Sequence, residues 1–514
     1  MPVALCESCL TAQEAPALQA DHLLRPLLPA VLPWLITRRW FTHDDGCLDE
    51  LQPLGAAVLV QNSSMVLVHS LLTAHRATAP TRTYQLLLGL RRSLPAHLDH
   101  AVIGQAGAGP WDGWWIYEAT EDPELMSGLL RTVTAREQYP GVPVRFTGTG
   151  DAPIPLDRTP RALSVERSNS TVVFGDRFLI KFFRRPESGA HPEVEVLRAL
   201  TTAGCPRTPG LTGWLHTPGA ARRAFVLGIV EDFYPRSTDA WELAVRQATD
   251  CINGDSPALP AAGGFTAQAR ALGAAVAEVH TALAESFPRT WLSPERALAE
   301  AEAMSRRLQE AVHSVPRLKV YADGLAGLYD DYARVAAQGR GLPGQRIHGD
   351  LHLGQVLWTA DGWKIIDFEG EPARPVAERS LPQLALRDVA GMLRSFDYAA
   401  QQALSGVRAA VRDAPRRPAR GAGNSDAVGA RDEAQGIPAR LRQSRRAQAW
   451  AVRNRRAFSL GYAEAGGADP LCHPVQLRAF EADKAVDEAV HEAQHRPGWL
   501  HIPMTAVERL AHGH

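Results

Sequence analysis

The sequence has few of the features that mark secreted or membrane proteins. It contains six Cys among 514 residues, and Cys6 and Cys9 form its single C-x-x-C pair. A zinc site would need a second pair or two well-spaced His, and His43 and Cys47 offer only a weak candidate, so we interpret the Cys as reduced thiols. No apolar run could span a bilayer and no secretory signal is found. We therefore expect a soluble, cytoplasmic protein.

The sequence also lacks an excess of charge of either sign. It has 55 Lys and Arg against 56 Asp and Glu, which gives no support for binding to nucleic acid or to an anionic membrane surface. The segment 412–446 is rich in Arg, but acids are interspersed and aromatic residues are missing. We predict a mobile insertion there and expect small-molecule partners.

The length predicts two or three structural units. Apolar and β-branched residues around "QNSS" predict a β-hairpin within 56–75, and a strand followed by a helix starting near Asp122 is predicted next. Further strands are predicted within 163–184 and at 223–233. Beyond them the pattern is helical except for a loop and strand at 343–370. The sequence therefore predicts an α+β protein whose strands precede most of its helices.

The segment "HGDLHLGQ" (348–355) concentrates polar residues ahead of the apolar strand "WKIID". Asp350 and Gln355 are five positions apart, and Asp367 closes the strand. The catalytic loop of protein kinases has this spacing between its Asp, its metal-binding amide and a later Asp. We predict that Asp350 orients an attacking hydroxyl as the catalytic base. Gln355 and Asp367 would supply hard oxygen ligands for Mg²⁺.

An upstream strand carries Lys181, and the helix after it carries Glu193 and Glu195. A Lys–Glu ion pair between such a strand and helix positions the phosphates of ATP in kinases. The residues themselves leave both Glu side chains open as partners. The order of the parts nevertheless predicts phosphoryl transfer, because the strand Lys precedes the catalytic loop as it does in kinases.

Other polar residues are predicted to support these groups. His348 would hold the loop by a backbone hydrogen bond, and His352 would face the substrate. The polar turn "RSNST" (167–171) is not rich in Gly, but its backbone and hydroxyl groups could cover phosphates. An ordinary hairpin fits this turn equally well. Its candidate nucleotide-binding residues are Ser168, Asn169 and Ser170.

The run from 348 to 400 closely resembles the actinobacterial maltokinases, sugar kinases with the aminoglycoside-phosphotransferase, protein-kinase-like fold. The resemblance covers nearly the whole chain. It implies a bilobal α+β protein with an N-terminal cap (1–105), a nucleotide-binding lobe (106–233) and a helical lobe (234–514). Other matching segments, in order, are "RRWF" (38–41), "YQLLLGLR" (84–91), "SNSTVVF" (168–174), "KFFRR…HPEVEVLRAL" (181–200) and "EADKA…HRPGWLHIP" (481–503).

The resemblance also implies roles for individual residues. ATP and Mg²⁺ would be the cofactors, with the nucleotide between the lobes and the sugar against the helical one. Of the two candidate acids, Glu195 is the one that it favours as the partner of Lys181. Asp388 would support the catalytic loop from the following helix. Glu231, in "VEDF" (230–233), would lie where the hinge contacts adenine.

The last long helix (475–493) departs from the maltokinase pattern, because Asp487 stands where maltokinases typically carry Tyr. On a helix, Asp483 and Asp487 share a face. Two carboxylates there would suit an ammonium group, which resembles the glucosamine-kinase branch of maltokinase-like proteins and predicts formation of glucosamine 6-phosphate. The predicted substrate-binding residues are His352, Gln476, Asp483, Lys484, Asp487 and Glu488.

Alternative functions remain open. If the acidic helix face is only solvated surface, the same catalytic block would serve maltose and form maltose 1-phosphate. A non-catalytic, kinase-like binding protein would be expected to lack Asp350, Asp367 or Lys181, and all three are present. Aminoglycoside modification is disfavoured by the extent of the maltokinase pattern. A protein kinase is disfavoured because "DFEG" (367–370) is not followed by a long substrate loop.

Overall fold

The computed structural model forms two compact units. Unit 1 comprises Met1–Arg198 and Pro209–Pro235, and unit 2 comprises Ala199–Thr208 and Arg236–His514. Only the backbone is described at 410–413 and 425–438, and the C-x-x-C pair, His43 and Cys47 lie outside the described residues. The structure describes residues 22–42, 48–76, 79–135, 144–150, 154–163, 168–218, 224–254, 264–338, 342–371, 374–413 and 425–513.

The first sheet of unit 1 is antiparallel, with the strand order β1-β2-β3-β5-β4. The predicted hairpin is confirmed, and its turn is closed by Asn62, whose side-chain oxygen accepts hydrogen bonds from the backbone N–H groups of Ser64 and Met65. Because β5 pairs with both β3 and β4, the predicted cap boundary at 105/106 falls inside one sheet. The strands are β1 (Glu50–Gln61), β2 (Met65–Arg76), β3 (Ala79–Arg91), β4 (Val102–Gln105) and β5 (Trp115–Glu118).

Three helices accompany this sheet. Helices α1 (Leu28–Leu35) and α2 (Arg39–Thr42) bury apolar side chains in a core shared with the strands. Helix α3 (Pro123–Thr134) begins where the sequence predicts it. Its N-cap, Asp122, accepts hydrogen bonds from two backbone N–H groups of the first turn. Pro123 suits the first position of the helix because the N–H that it lacks would have no partner within the helix.

The second sheet of unit 1 has the strand order β6-β10-β11-β9-β8-β7. Helix α4 (Pro192–Thr202) follows β9, as predicted. The predicted turn at 167–171 is partly strand, because Asn169, Ser170 and Thr171 pair with β9. The strands are β6 (Arg145–Gly148), β7 (Pro160–Ala162), β8 (Asn169–Phe174), β9 (Phe178–Phe183), β10 (Leu211–His216) and β11 (Val226–Asp232).

Unit 2 is mainly helical. Small sheets are formed by β12 (Thr238–Asp239), β15 (Val356–Thr359) and β16 (Gly362–Ile365), and by β13 (Thr290–Leu292) with β14 (Leu342–Gly344). In the parts of the chain that the structure describes, no helix is both long and apolar enough to cross a bilayer. The helices are α5 (Ala240–Asn253), α6 (Phe265–Ser286), α7 (Pro294–Ser314), α8 (Ala322–Gln338), α9 (Val376–Arg379), α10 (Leu386–Asp413), α11 (Ser425–Glu464), α12 (Pro474–His495) and α13 (His501–Ala511).

The segment 412–446 differs from the predicted insertion. Helix α10 continues to Asp413, and the backbone from Ser425 onward belongs to α11, while 414–424 lies outside the described residues. The expectation of a loop was therefore wrong for 425–446. Ala and Arg are strong helix formers even where few large apolar residues mark a helical face, and the sequence reading gave too little weight to that propensity.

Helix α10 lies directly against the catalytic loop. The close approach depends on Gly391, where a Cβ atom would lie 2.6 Å from the backbone oxygen of Leu351. Real side chains do not tolerate that distance, so Gly allows helix and loop to touch. This packing brings the first turn of α10, which carries Asp388, to the start of the loop.

Candidate active site

Asp388 anchors the catalytic loop between β14 and β15. Its carboxylate accepts hydrogen bonds from the backbone N–H groups of His348 (2.8 Å) and Gly349 (2.9 Å) and contacts the Nε2 atom of His280 (3.0 Å). Burial acts to raise the pKa of Asp388, but the hydrogen bond and charge of His280 outweigh it, so the pKa lies below its usual value. Gly349 has φ +90°, which favours Gly. A buried carboxylate thus fixes the loop that carries Asp350.

The two His of the loop make local contacts. His348 bonds the backbone oxygen of Ile366 through Nε2 (2.9 Å), and its Nδ1 lies 3.3 Å from the backbone N–H of Asp350. The Nδ1 atom of His352 accepts a hydrogen bond from the backbone N–H of Gly354 (3.0 Å), and burial lowers its pKa. His348 therefore ties the loop to the next strand. His352 closes the loop on itself and does not line the pocket described below.

Gln355 and Asp367 lie side by side. The amide nitrogen of Gln355 donates a hydrogen bond to Oδ2 of Asp367 at 2.7 Å. Asp367 has φ 69°, an unusual value for a residue other than Gly, and strained backbone of this kind clusters at functional sites. The amide oxygen of Gln355 and the carboxylate of Asp367 therefore lie on neighbouring side chains, and as hard oxygen donors they fit Mg²⁺.

In unit 1, Lys181 pairs with Glu193, which corrects the preference for Glu195. The ammonium of Lys181 lies 3.2 and 3.0 Å from the two carboxylate oxygens of Glu193, whose side chain is 0% exposed. Residues two positions apart on a helix point in different directions, so only one Glu can meet β9. The resemblance had selected the wrong member of the pair.

The other residues predicted to bind the nucleotide lie in or beside strands of unit 1. Asn169 and Ser170 belong to β8, and the Ser170 hydroxyl accepts a hydrogen bond from Nε of Arg184 at 2.8 Å. Ser168 directly precedes β8. Glu231 is buried near the end of β11 and faces Leu179 of β9 in the ladder. The expectation of a phosphate-covering turn is corrected for Asn169 and Ser170, because they form a strand.

A pocket in unit 2 combines Asp350, the predicted catalytic base, with residues of α10 and α12. It is charged on most sides, and three of the residues predicted from α12 reach it. Two other predicted substrate-binding residues of α12, Gln476 and Glu488, do not line the pocket. The side chain of Gln476 is buried. The lining residues are Gly349, Asp350, Leu351, Glu371, Arg374, Arg387, Asp388, Gly391, Phe480, Asp483, Lys484 and Asp487.

Lys484 lies between two carboxylates of this pocket. Its Nζ atom is 2.9 Å from Oδ1 of Asp350 and 3.1 Å from Oε2 of Glu371. Burial acts to lower the pKa of Lys484, but the charges of Asp350 and Glu371 outweigh it, so the pKa lies well above its usual value. Lys484 therefore forms a charged cluster with Asp350 and Glu371.

Asp483 and Asp487 have different surroundings although they lie one turn apart. Arg307 contacts both carboxylate oxygens of Asp483 at 2.7 Å, and Arg387 adds a contact at 3.1 Å. Burial acts to raise the pKa of Asp483, but Arg307 and Arg387 outweigh it and the pKa is lowered. The expected pair of free carboxylates is therefore corrected, because two guanidinium groups already neutralise Asp483.

Asp487 has no such partner. Its carboxylate makes neither a hydrogen bond nor an ion pair with any residue that the structure describes. Burial, together with the negative charge of Asp483, raises its pKa to about 7. An unpaired and largely desolvated carboxylate is costly unless a ligand supplies the missing charge.

The prediction for Glu488 is corrected for a similar reason. Its carboxylate lies 2.5 Å from Nη2 of Arg394, a guanidinium that is 1% exposed, so it forms a structural ion pair. The sequence reading missed Glu371, Arg307 and Arg387 altogether. Glu371 follows Asp367 by four positions, but nothing local marks the two Arg as neighbours of α12.

Two regions of the chain match models of known protein families. Residues 34–122 match the maltokinase N-terminal cap domain, and residues 159–403 match the phosphotransferase enzyme family. A glucosamine kinase of Mycolicibacterium smegmatis is 28% identical over 365 residues, or 69% of this chain and 80% of that protein. A glucosamine kinase of Streptacidiphilus jiangxiensis is 31% identical over 262 residues, or 49% of this chain and 56% of that protein.

Solved structures confirm the fold. A glucosamine kinase in complex with glucosamine, ADP and inorganic phosphate superimposes with a TM-score of 0.59 at 21% identity, covering 94% of this chain and 99% of that chain. A second glucosamine kinase crystal form gives 0.61 at 22% identity, with 93% and 97% covered. The predicted α+β fold, a phosphotransferase fold with an N-terminal cap, is thus confirmed. The chain thus has a region that matches the maltokinase N-terminal cap domain, followed by a region that matches the phosphotransferase enzyme family.

Proposed function

We propose that this protein is an ATP- and Mg²⁺-dependent sugar kinase that phosphorylates glucosamine to glucosamine 6-phosphate. The observation that carries the proposal is the unpaired carboxylate of Asp487 in the same pocket as Asp350. A kinase for a neutral sugar would gain little from such a group. A protonated amino sugar would supply the missing positive charge while presenting a hydroxyl to Asp350.

Asp350 would act on the attacking hydroxyl. Its Oδ1 atom is taken by Lys484, and no described donor contacts Oδ2, which is left to accept the hydrogen bond of the sugar hydroxyl. As the hydroxyl oxygen attacks the γ-phosphorus, the bond from that phosphorus to the oxygen bridging the β-phosphate would break, ADP would leave, and the hydroxyl proton would pass to this carboxylate. The contacts of Asp388 hold the backbone of the loop that carries Asp350.

Roles in handling the phosphates are proposed for residues of each unit separately. Gln355 and Asp367 would bind Mg²⁺, which when bound neutralises phosphate charge in the transition state. The Lys181–Glu193 pair would fix the Lys ammonium for the nucleotide phosphates. Such a reaction with ATP would take place in the cytoplasm.

Asp487 would provide the selectivity for an amine. A charge-assisted hydrogen bond contributes about 1.5–3 kcal/mol, which corresponds to roughly ten- to more than a hundredfold in affinity. Two relatives named glucosamine kinases share 28% and 31% of aligned residues with this chain, which supports the same substrate. Maltose is the competing candidate acceptor, because residues 34–122 match the maltokinase N-terminal cap domain.

A side-by-side assay of acceptors tests the proposal. ADP release would be measured with ATP and Mg²⁺ on glucosamine, glucose, N-acetylglucosamine and maltose. We expect turnover of glucosamine and little of its acetylated form, which has no charge. Turnover of maltose alone would reject the amino-sugar assignment and favour maltose 1-phosphate as the product.

The variant Asp487→Asn isolates the carboxylate. We expect it to raise the KM for glucosamine roughly ten- to a hundredfold with little change in the KM for ATP. Asp330→Asn, at an exposed position of α8, is the matched control. An unchanged KM for glucosamine in the Asp487 variant would place the amine elsewhere.

A further inference from the structure

Lys484 contacts one of the two carboxylate oxygens of Asp350 and leaves the other open. Its ammonium contacts Oδ1 of Asp350 at 2.9 Å. In the part of the chain that the structure describes, Oδ2 has no hydrogen-bond donor. The side chain that reaches Asp350 comes from α12, which is 134 residues away in the sequence.

We propose that Lys484 is a positioning residue for phosphoryl transfer, which fixes Asp350 so that Oδ2 receives the proton of the acceptor hydroxyl. This inference rests on the proposed kinase function and adds a role to it. Lys484 would act through Asp350, whereas Asp487 would act on the amine of the substrate. The two residues therefore affect different kinetic constants.

The argument begins with the rotation of the carboxylate. An Asp side chain has a broad, roughly two-fold torsion at its carboxylate, so a loop that fixes only the backbone leaves the oxygens free to exchange. Asp388 and His348 hold backbone atoms of the loop. The ion pair with Lys484 is the described contact that fixes the carboxylate itself.

Glu371 makes the position of Lys484 well defined. It holds the ammonium from a second direction at 3.1 Å, which restrains a side chain that would otherwise be flexible. An ammonium has three donors, and these contacts use two of them. A lysine that serves mainly to bind sugar hydroxyls would leave its donors open, whereas this one is committed to the catalytic carboxylate and to its own support.

The charges of Lys484, Asp350 and Glu371 support the same role for Lys484. Asp350 and Glu371 would repel each other across the pocket, and the Lys484 ammonium offsets that repulsion. Removing the ammonium would leave two facing carboxylates, and Asp350 would turn away from Glu371. This change takes the base out of its productive position without removing the amine-binding carboxylate.

The test compares kcat with KM in Lys484→Met and Lys484→Arg. Misplacing a catalytic group by about 1 Å can cost on the order of a hundredfold, so we expect Lys484→Met to lower kcat roughly a hundredfold. The KM for glucosamine and for ATP should change only a few-fold. Lys484→Arg keeps the charge in another shape and should retain more activity than Lys484→Met.

A chemical rescue separates positioning from folding. Ethylammonium can donate hydrogen bonds in place of the deleted ammonium and should raise the kcat of Lys484→Met, measured at saturating glucosamine. Tetramethylammonium has the same charge but no N–H donor, and it should give no rescue. Lys319→Met, at an exposed position, is the matched control and should behave as the wild type.

Each outcome decides one question. A wild-type protein that phosphorylates none of the four sugars would reject the proposed function itself. A wild type that is active on glucosamine with an unchanged kcat in Lys484→Met, or with a change confined to KM, would overturn only the positioning role. If Lys484→Met does not fold, Glu371→Gln replaces it, because this variant loosens Lys484 from the other side and should lower kcat in the same direction by a smaller factor.

Discussion

The carboxylate of Asp487 should make the folded protein less stable as the pH rises towards neutrality. Burial and the charge of Asp483 raise its pKa to about 7, compared with about 3.9 for Asp in an unfolded chain. Between these two values the folded state binds more protons than the unfolded state, so the free energy of unfolding falls as the pH increases. Above both pKa values the two states have released the proton, and the loss is complete.

The size of the effect follows from the pKa shift. One pKa unit corresponds to about 1.4 kcal/mol, so raising the pH from about 5.5 to about 7 should remove about 2 kcal/mol of stability. Asp487→Asn keeps the size of the side chain but cannot titrate. The stability of the variant relative to the wild type should therefore increase by about 2 kcal/mol between pH 5.5 and pH 8.

Urea unfolding at those two pH values measures this difference. Wild type, Asp487→Asn and the exposed control Asp330→Asn would be compared, and the control should show a constant difference from the wild type. A pH-independent difference between Asp487→Asn and the wild type would refute the reasoning. It would mean that the carboxylate is hydrated, and the main argument for an ammonium ligand would then fail.

Three further substitutions test the rest of the site. Glu193→Gln should raise the KM for ATP or lower kcat by at least about tenfold because it frees Lys181, whereas Glu195→Gln should change both by less than about threefold; equal effects would contradict the assignment of the ion pair. Asp388→Asn should lower kcat roughly a hundredfold through loss of loop geometry, with the KM for ATP nearly unchanged; full activity would mean that the loop holds itself. Gly391→Ala should lower the free energy of unfolding by roughly 1–3 kcal/mol through overpacking, and with it the midpoint of thermal unfolding, because its Cβ meets the loop backbone; an unchanged midpoint would show that helix and loop can separate.

The local parts of the protein could be predicted from the sequence. The hairpin around Asn62 and the start of α3 at Asp122 follow from turn and capping chemistry, which acts within a few residues. The positions of Asp350, Gln355 and Asp367 also follow from spacing along one loop and one strand. Each of these depends on neighbours in the chain, so the sequence carries the necessary information directly.

The helix at 425–446 shows where sequence reasoning by apolar pattern fails. Few large apolar side chains mark a buried face there, and the Arg and Pro content suggested an irregular segment. The backbone of α11 is nevertheless helical from Ser425. Intrinsic helix propensity of Ala and Arg provides a signal that does not depend on burial.

What the sequence determined by itself is the spacing of Asp350, Gln355 and Asp367 and the order of the strands and helices, because these follow from short-range spacing. The choice between Glu193 and Glu195, and between Asp483 and Asp487, was decided only by the tertiary structure. Charged side chains pair with whichever opposite charges the fold brings within a few ångströms, and those charges come from distant positions, as Arg307 does for Asp483. The fold neutralises one carboxylate of α12, leaves its neighbour unpaired, and brings Lys484 to the catalytic Asp.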